Sequence, residues 1–132
     1  MSLKTISIAS VLTAGAVLAL TATAADKKLP PASTKTGVTF AKDIKPLFES
    51  ACFKCHGAEK QKGKLRLDTL AAALKGGESG KCIVPGKSAD SSLVKAVARL
   101  NEDDAMPPAD KGKPLTAAEV GLIRAWIDQG AK

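Results

Sequence analysis

The stretch that most constrains this 132-residue chain is Cys52-Phe53-Lys54-Cys55-His56, two cysteines at i and i+3 followed at once by a histidine. Several chemistries use cysteines spaced in this way. An exported protein could close a structural disulfide between Cys52 and Cys55. A thioredoxin-like redox pair shares the spacing, but that fold needs a longer βαβ pattern than the chain offers. A zinc site could draw on Cys52, Cys55, His56 and Cys82. Adjacent Cys55 and His56 are poorly placed to serve one tetrahedral metal, and an ordinary structural zinc site uses two spaced pairs. The remaining chemistry is covalent attachment of haem, for which Cys-x-x-Cys-His is the known pattern.

Haem attachment accounts for all three side chains. Each thiol can add across one vinyl group of the same porphyrin. His56 is then held beneath the ring, where its imidazole can ligate the iron. The composition agrees. Rings are scarce, limited to Phe40, Phe48, Phe53 and Trp126, with no Tyr. A domain of this size buries only roughly two-thirds of its unfolded surface. A covalent macrocycle would add apolar bulk, although composition alone also allows an ordinary aliphatic core.

Residues 1–24 read as a cleaved export signal. Lys4 supplies the positive charge, Ile6 to Leu20 is apolar, and Ala22-Thr23-Ala24 is a small-residue cleavage site, with cleavage expected near Ala24. The alternative is an uncleaved anchor. A helix over 5–20 would be about 24 Å long at ~1.5 Å per residue, short of a hydrocarbon core of roughly 30 Å. No stable membrane insertion is therefore expected after cleavage, and the destination is the periplasm. Haem attachment of this kind takes place outside the cytoplasm, so the leader and the motif agree. Residues 25–37, with Lys27, Lys28, Pro30 and Pro31, read as a disordered or extended linker.

The domain proper spans 38–132 and reads as all-α. Phe40, Ile44, Leu47, Phe48 and Ala51 form one apolar helical face running into Cys52. Pro46 lies inside it, tolerable if Asp43 caps a fresh turn and otherwise a kink. This helix should end at the motif. The polar stretch 57–64 reads as loop, and Leu65-Arg66-Leu67 as a short extended piece. Asp68 is expected to cap a helix over 69–75, stopped by Gly76-Gly77. After a turn-rich stretch, Ser88 or Asp90 should cap a helix to about Leu100, with Leu93, Val94, Val97 and Leu100 inward. Residues 101–114 read as a loop. Thr116-Ala117-Ala118-Glu119 is a capping box. It opens a last helix with Val120, Ile123, Trp126 and Ile127 on one face, ended by Gly130. This helix should cross the first one, with Phe48 and Trp126 close to the crossing.

A second axial ligand follows by elimination. His56 is the only histidine, which excludes two imidazoles from one chain. Met1 leaves with the signal, so Met106 is the sole thioether of the mature chain. It sits 50 residues after His56, in a loop held by Pro107 and Pro108. A lysine ligand or an open sixth site are the alternatives, and a gap-filling core role is the bland one. With His56 and Met106 both bound, the iron keeps no position for substrate and can only pass one electron. The formal charge of +7 and pI of about 9.5 favour acidic partners or anionic membranes over nucleic acid, because the lysines are scattered. Lys54, Lys60, Lys62, Lys64, Lys111 and Lys113 lie near the motif or Met106. They either ring an exposed haem edge or form a merely solvated face. Cys82, the third cysteine, reads as a buried free thiol or an intermolecular disulfide.

With these residues in hand, the chain resembles the class I c-type cytochromes, and more narrowly the planctomycete-type cytochrome c domain. The pieces carrying the resemblance begin with Phe40…Asp43-Ile44-Lys45-Pro46-Leu47 and Cys52…Cys55-His56-Gly57. They continue with Gly63-Lys64-Leu65-Arg66-Leu67-Asp68, Gly76-Gly77-Glu78-Ser79-Gly80 and Pro85-Gly86…Ser92-Leu93. They end with Met106-Pro107-Pro108 and Trp126-Ile127…Gly130-Ala131. The resemblance implies an all-α class I cytochrome c fold, with N- and C-terminal helices crossing around one covalent haem c. It implies Cys52 and Cys55 as thioether sites and His56 and Met106 as iron ligands. The implied protein is no enzyme but a monomeric periplasmic carrier of single electrons between larger redox proteins with acidic docking surfaces. A haem-based ligand sensor or small haem enzyme with a labile sixth site is the alternative. Cys82 departs from the pattern.

Overall fold

Pro46 dictates how the first helix begins. In a continuous α-helix its ring would strike the carbonyl four residues back, and it has no N–H to donate. A π-helical turn, Phe40–Ile44, precedes it, with the Lys45 N–H donating to the Phe40 carbonyl. Helix α1, Lys45–Ala51, then starts with Pro46 in its first turn. The widened turn absorbs the misfit, and no cap of a fresh turn by Asp43 is formed. Its carboxylate instead accepts the Thr39 N–H at 2.9 Å and pairs with Lys35. The computed structural model describes residues 27–132. The expected export signal and the first residues of the expected linker lie outside the described residues.

The first helix ends at the motif, as expected, with Ala51 its last residue. Cys52 breaks it, with φ −123° and ψ −34°, and the chain turns directly into α2, Phe53–His56. Cys55 and His56 both donate backbone N–H bonds to the Cys52 carbonyl. After α2 come a loop and Leu65-Arg66-Leu67, extended but unpaired into any strand. Helix α3, Leu70–Lys75, is capped by Thr69, whose hydroxyl accepts the Ala72 N–H. The expected cap, Asp68, is engaged elsewhere: Arg66 donates two bonds to its carboxylate, at 2.9 and 2.6 Å. Helix α4 is shorter than its apolar pattern suggests, running Ser92–Val97 after a single 3-10 turn. Arg99 takes a left-handed φ of 54°, which turns the chain out of the helix before Leu100.

Helix α5, Ala117–Asp128, has the full reciprocal capping box between Thr116 and Glu119. Its apolar face, Val120, Ile123, Trp126 and Ile127, is buried throughout. This face meets the π turn and α1 through a three-ring cluster of Phe40, Phe48 and Trp126. The Lys132 carbonyl ties the two ends together, accepting from the Phe40 N–H at 2.7 Å and from the Trp126 indole at 3.0 Å. The described residues are thus helical without strands. None of their helices is long and apolar enough to cross a membrane.

Two polar networks fasten the rest to α5. Asp128 accepts from the Ser88 N–H and hydroxyl at 2.8 and 2.9 Å, and Arg124 donates to the same hydroxyl at 3.0 Å. Ser88 and Ser91 are both buried, and every such polar group needs a partner. Ser91 finds one in the Lys87 carbonyl and accepts the Val84 N–H. The second network holds residues 27–37, the described part of the expected linker, and Val38 after it. This stretch is extended and docked along α5. Arg124 donates to the Pro30 carbonyl, Ser33 to the Gly121 carbonyl, and Gln129 bridges Lys35 and Val38. Gly121 permits the approach, since a Cβ there would stand 2.7 Å from the Pro31 carbonyl oxygen.

Candidate functional site

Cys52 closes α1, Cys55 and His56 lie in α2, and Met106 lies in the loop after α4. All four side chains line one cleft of about 500 Å³. That volume falls within the roughly 300–1,000 Å³ of small-molecule and cofactor sites. The cleft's floor is apolar. Phe48 reaches it from the helix crossing, Leu65 and Leu67 from the extended piece, and Leu93 and Val97 from α4. The alternation 65–67 works as expected: both leucines face the cleft while Arg66 pairs with Asp68.

The motif is held from both sides. The Leu67 N–H donates to the His56 carbonyl at 2.8 Å, which seats the apolar piece beside the imidazole. Gly57 lets the chain leave α2, because a Cβ there would stand 2.5 Å from the Phe53 carbonyl oxygen. The Nδ1 of His56 is buried without a hydrogen-bond partner among the described residues. Buried polar atoms are rarely left so, and an exception calls for a functional explanation.

The three cysteines form no disulfide. Burial pushes the Cys52 thiol up to about 12. A redox Cys-x-x-Cys pair is tuned the other way, towards the reactive thiolate. Among the described residues no group of three or more His, Cys, Asp or Glu side chains is placed to hold a metal ion. What fits is a large apolar group carrying its own metal. Two thiols could anchor it at the cleft edge, one imidazole could reach its metal from the motif side, and a thioether could do so from the opposite loop.

Met106 is presented by its backbone. Its N–H donates to the Ala96 carbonyl at 3.0 Å, which brings the loop back onto the end of α4. Neighbouring Ala105 and Pro107 are buried, whereas Met106 is 39% exposed. A methionine flanked by buried neighbours yet itself uncovered does not have the burial of a gap-filling core residue. Arg99 braces the segment, donating to the Pro107 carbonyl at 3.0 Å and to Glu102 at 3.1 Å. Glu102 also pairs with Lys27 of the docked N-terminal stretch. Sequence reading missed this bracing, for which the only signal was an arginine shortly before the methionine loop.

Of the lysines expected near the site, Lys54, Lys62 and Lys111 line the cleft, and Asp103 and Asp104 line it too. Cys82 also lines it, half-buried, its thiol raised by burial. Its position beside the motif was not legible from the sequence. Residues 52–110 match the family model described as Planctomycete cytochrome C. No curated protein and no solved structure matches the chain.

Proposed function

We propose, from the premise that residues 52–110 form a cytochrome c-like domain of the haem-binding, electron-transfer type, that this chain is an exported carrier of single electrons with a His/Met-ligated haem c. Cys52 and Cys55 would hold the porphyrin through thioether bonds. His56 and Met106 would ligate its iron. The bound group supplies reversible one-electron exchange, at a potential raised by the thioether ligand. The observation that carries this reading is the meeting of the motif and Met106 in one cleft across 50 residues of sequence.

The chain's own residues supply the setting. Leu65, Leu67, Leu93 and Val97 keep water from the apolar faces. Low dielectric around a redox group favours the less charged state, another lever on potential. With His56 and Met106 both ligating the iron, no position would remain for substrate, which favours a carrier over an enzyme. Lys54, Lys62 and Lys111 at the cleft would steer an acidic redox partner, with encounter slowing as salt rises. The apolar start of the chain supports export to the periplasm, where a basic mature protein of this size would act as a monomer.

An absorption spectrum of periplasmically expressed protein tests the reading. The expected result is a c-type reduced spectrum with a weak far-red sulfur-to-iron band in the oxidised form. Haem without that band would remove Met106 as a ligand and favour a ligand sensor. Absence of covalent haem would overturn the reading outright.

A further inference from the structure

We infer that Arg99 is the positioning residue that keeps the Met106 segment closed over the cleft. The inference rests on the proposed His/Met ligation and concerns what holds the thioether in place. Three observations converge on this side chain. First, its guanidinium joins the two sides of the loop, donating to the Pro107 carbonyl and to Glu102. Pro107 directly follows the methionine and is buried, so a bond at its carbonyl restrains Met106 itself. Second, the Arg99 side chain is only 21% exposed, so its bonds are partly shielded from water. Charge-assisted bonds of this kind are stronger than neutral ones.

The third observation is backbone conformation. Arg99 has a φ of 54°, at the turn where α4 gives way to the methionine loop. Chain reversals after helices favour glycine at such a φ, since a side chain costs energy there. An arginine is the less comfortable choice for the turn alone, and its guanidinium is what the loop uses. Apart from this side chain, the Met106 segment is tied back to α4 by the Met106 N–H bond to Ala96. Loss of the guanidinium leaves that bond and the burial of Ala105 and Pro107 to resist opening. The Met106 side chain is 39% exposed and is not a member of the buried core. The latch therefore sets how often the thioether leaves the iron, not whether the domain folds.

The test uses haem-loaded full-length protein with Arg99→Gly and Arg99→Lys. Glycine suits the backbone, so the fold and haem content are retained while the latch is lost. In Arg99→Gly the far-red band of the oxidised form should fade at lower temperature than in wild type. Carbon monoxide should enter the reduced form about tenfold faster, the effect of losing one charged hydrogen bond of about 1.4 kcal/mol. Arg99→Lys, keeping the charge and one donor, should fall between. If the wild type shows the band and Arg99→Gly keeps both its thermal profile and its carbon monoxide rate, the latch is overturned while the ligation stands. If the wild type lacks the band, the ligation fails and takes the latch with it. A merely structural role would shift the denaturation midpoint of both variants and leave the band and rate unchanged, which also overturns the inference.

Discussion

The rings of Phe48 and Trp126 meet edge to face, with centroids 6.2 Å apart and planes at 85°. This contact joins the helix that leads into the cysteine motif to the last helix of the chain. Phe48 also lines the cleft, so one side chain serves both the crossing and the site. Trp126 is fully buried, and its indole N–H holds the Lys132 carbonyl. Trp126→Ala should destabilise the folded protein by roughly 3–5 kcal/mol. A chemical denaturation curve measures this, and a loss under 1 kcal/mol would show that the crossing is not central.

Met106→Ala should leave haem attachment intact and open the iron to added ligands. The potential should fall, because a thioether stabilises the reduced iron relative to water or nitrogen donors. Redox titration and carbon monoxide binding measure both effects. A variant with the wild-type potential and sixth-ligand spectrum would sink the ligation.

Cys52 and Cys55 should be separable from Cys82 by mass. The double variant Cys52→Ser, Cys55→Ser should carry no covalent haem after expression with the attachment machinery. Cys82→Ser should keep the full haem mass, since Cys82 lies outside the motif although it lines the same cleft. Loss of haem from Cys82→Ser alone would assign that thiol an attachment role.

Gly121→Ala should dislodge the docked N-terminal stretch. The new methyl would stand 2.7 Å from the Pro31 carbonyl oxygen, too close for either backbone to keep its place. The cost should be about 1–3 kcal/mol, typical of overpacking. Hydrogen exchange at the Ser33 amide, which donates to the Gly121 carbonyl, should rise selectively. Unchanged protection at Ser33 would mean that the stretch is held from elsewhere.

Acid should weaken the start of the first helix. The Lys35 ammonium and the Thr39 N–H hold the Asp43 carboxyl below its ordinary 3.8. A carboxylate with a lowered value stabilises the fold above its unfolded value and loses that contribution as pH falls through the folded one. The contribution is therefore full well above 3.8, declines as the pH falls through that value, and is gone only below the still lower folded one. Asp43→Asn should flatten this part of the stability profile and match the wild type only at low pH. A variant profile parallel to the wild type across that range would exclude Asp43 as a source.

The elements legible in the sequence are those set by short-range chemistry. The Thr116–Glu119 box needs only residues three apart, and the apolar face of α5 needs only a repeat of 3.6. Both form as read. The cysteine motif is legible in five consecutive residues, and the proposal of Met106 as its partner rests on elimination. Where two local partners competed, the reading failed. Asp68 took Arg66 and left the cap to Thr69. The remainder was decided by tertiary packing. Leu65, Leu67 and Cys82 become cleft wall only when segments distant in sequence are folded around the motif. Arg99 meets Pro107 only because the chain reverses at a left-handed residue. The N-terminal stretch docks because Gly121, nearly ninety residues away in sequence, has no side chain to stop it. Local patterns encode hydrogen bonds and periodicities between near neighbours. Which distant surfaces meet depends on packing the whole chain at once, and no short pattern holds that information.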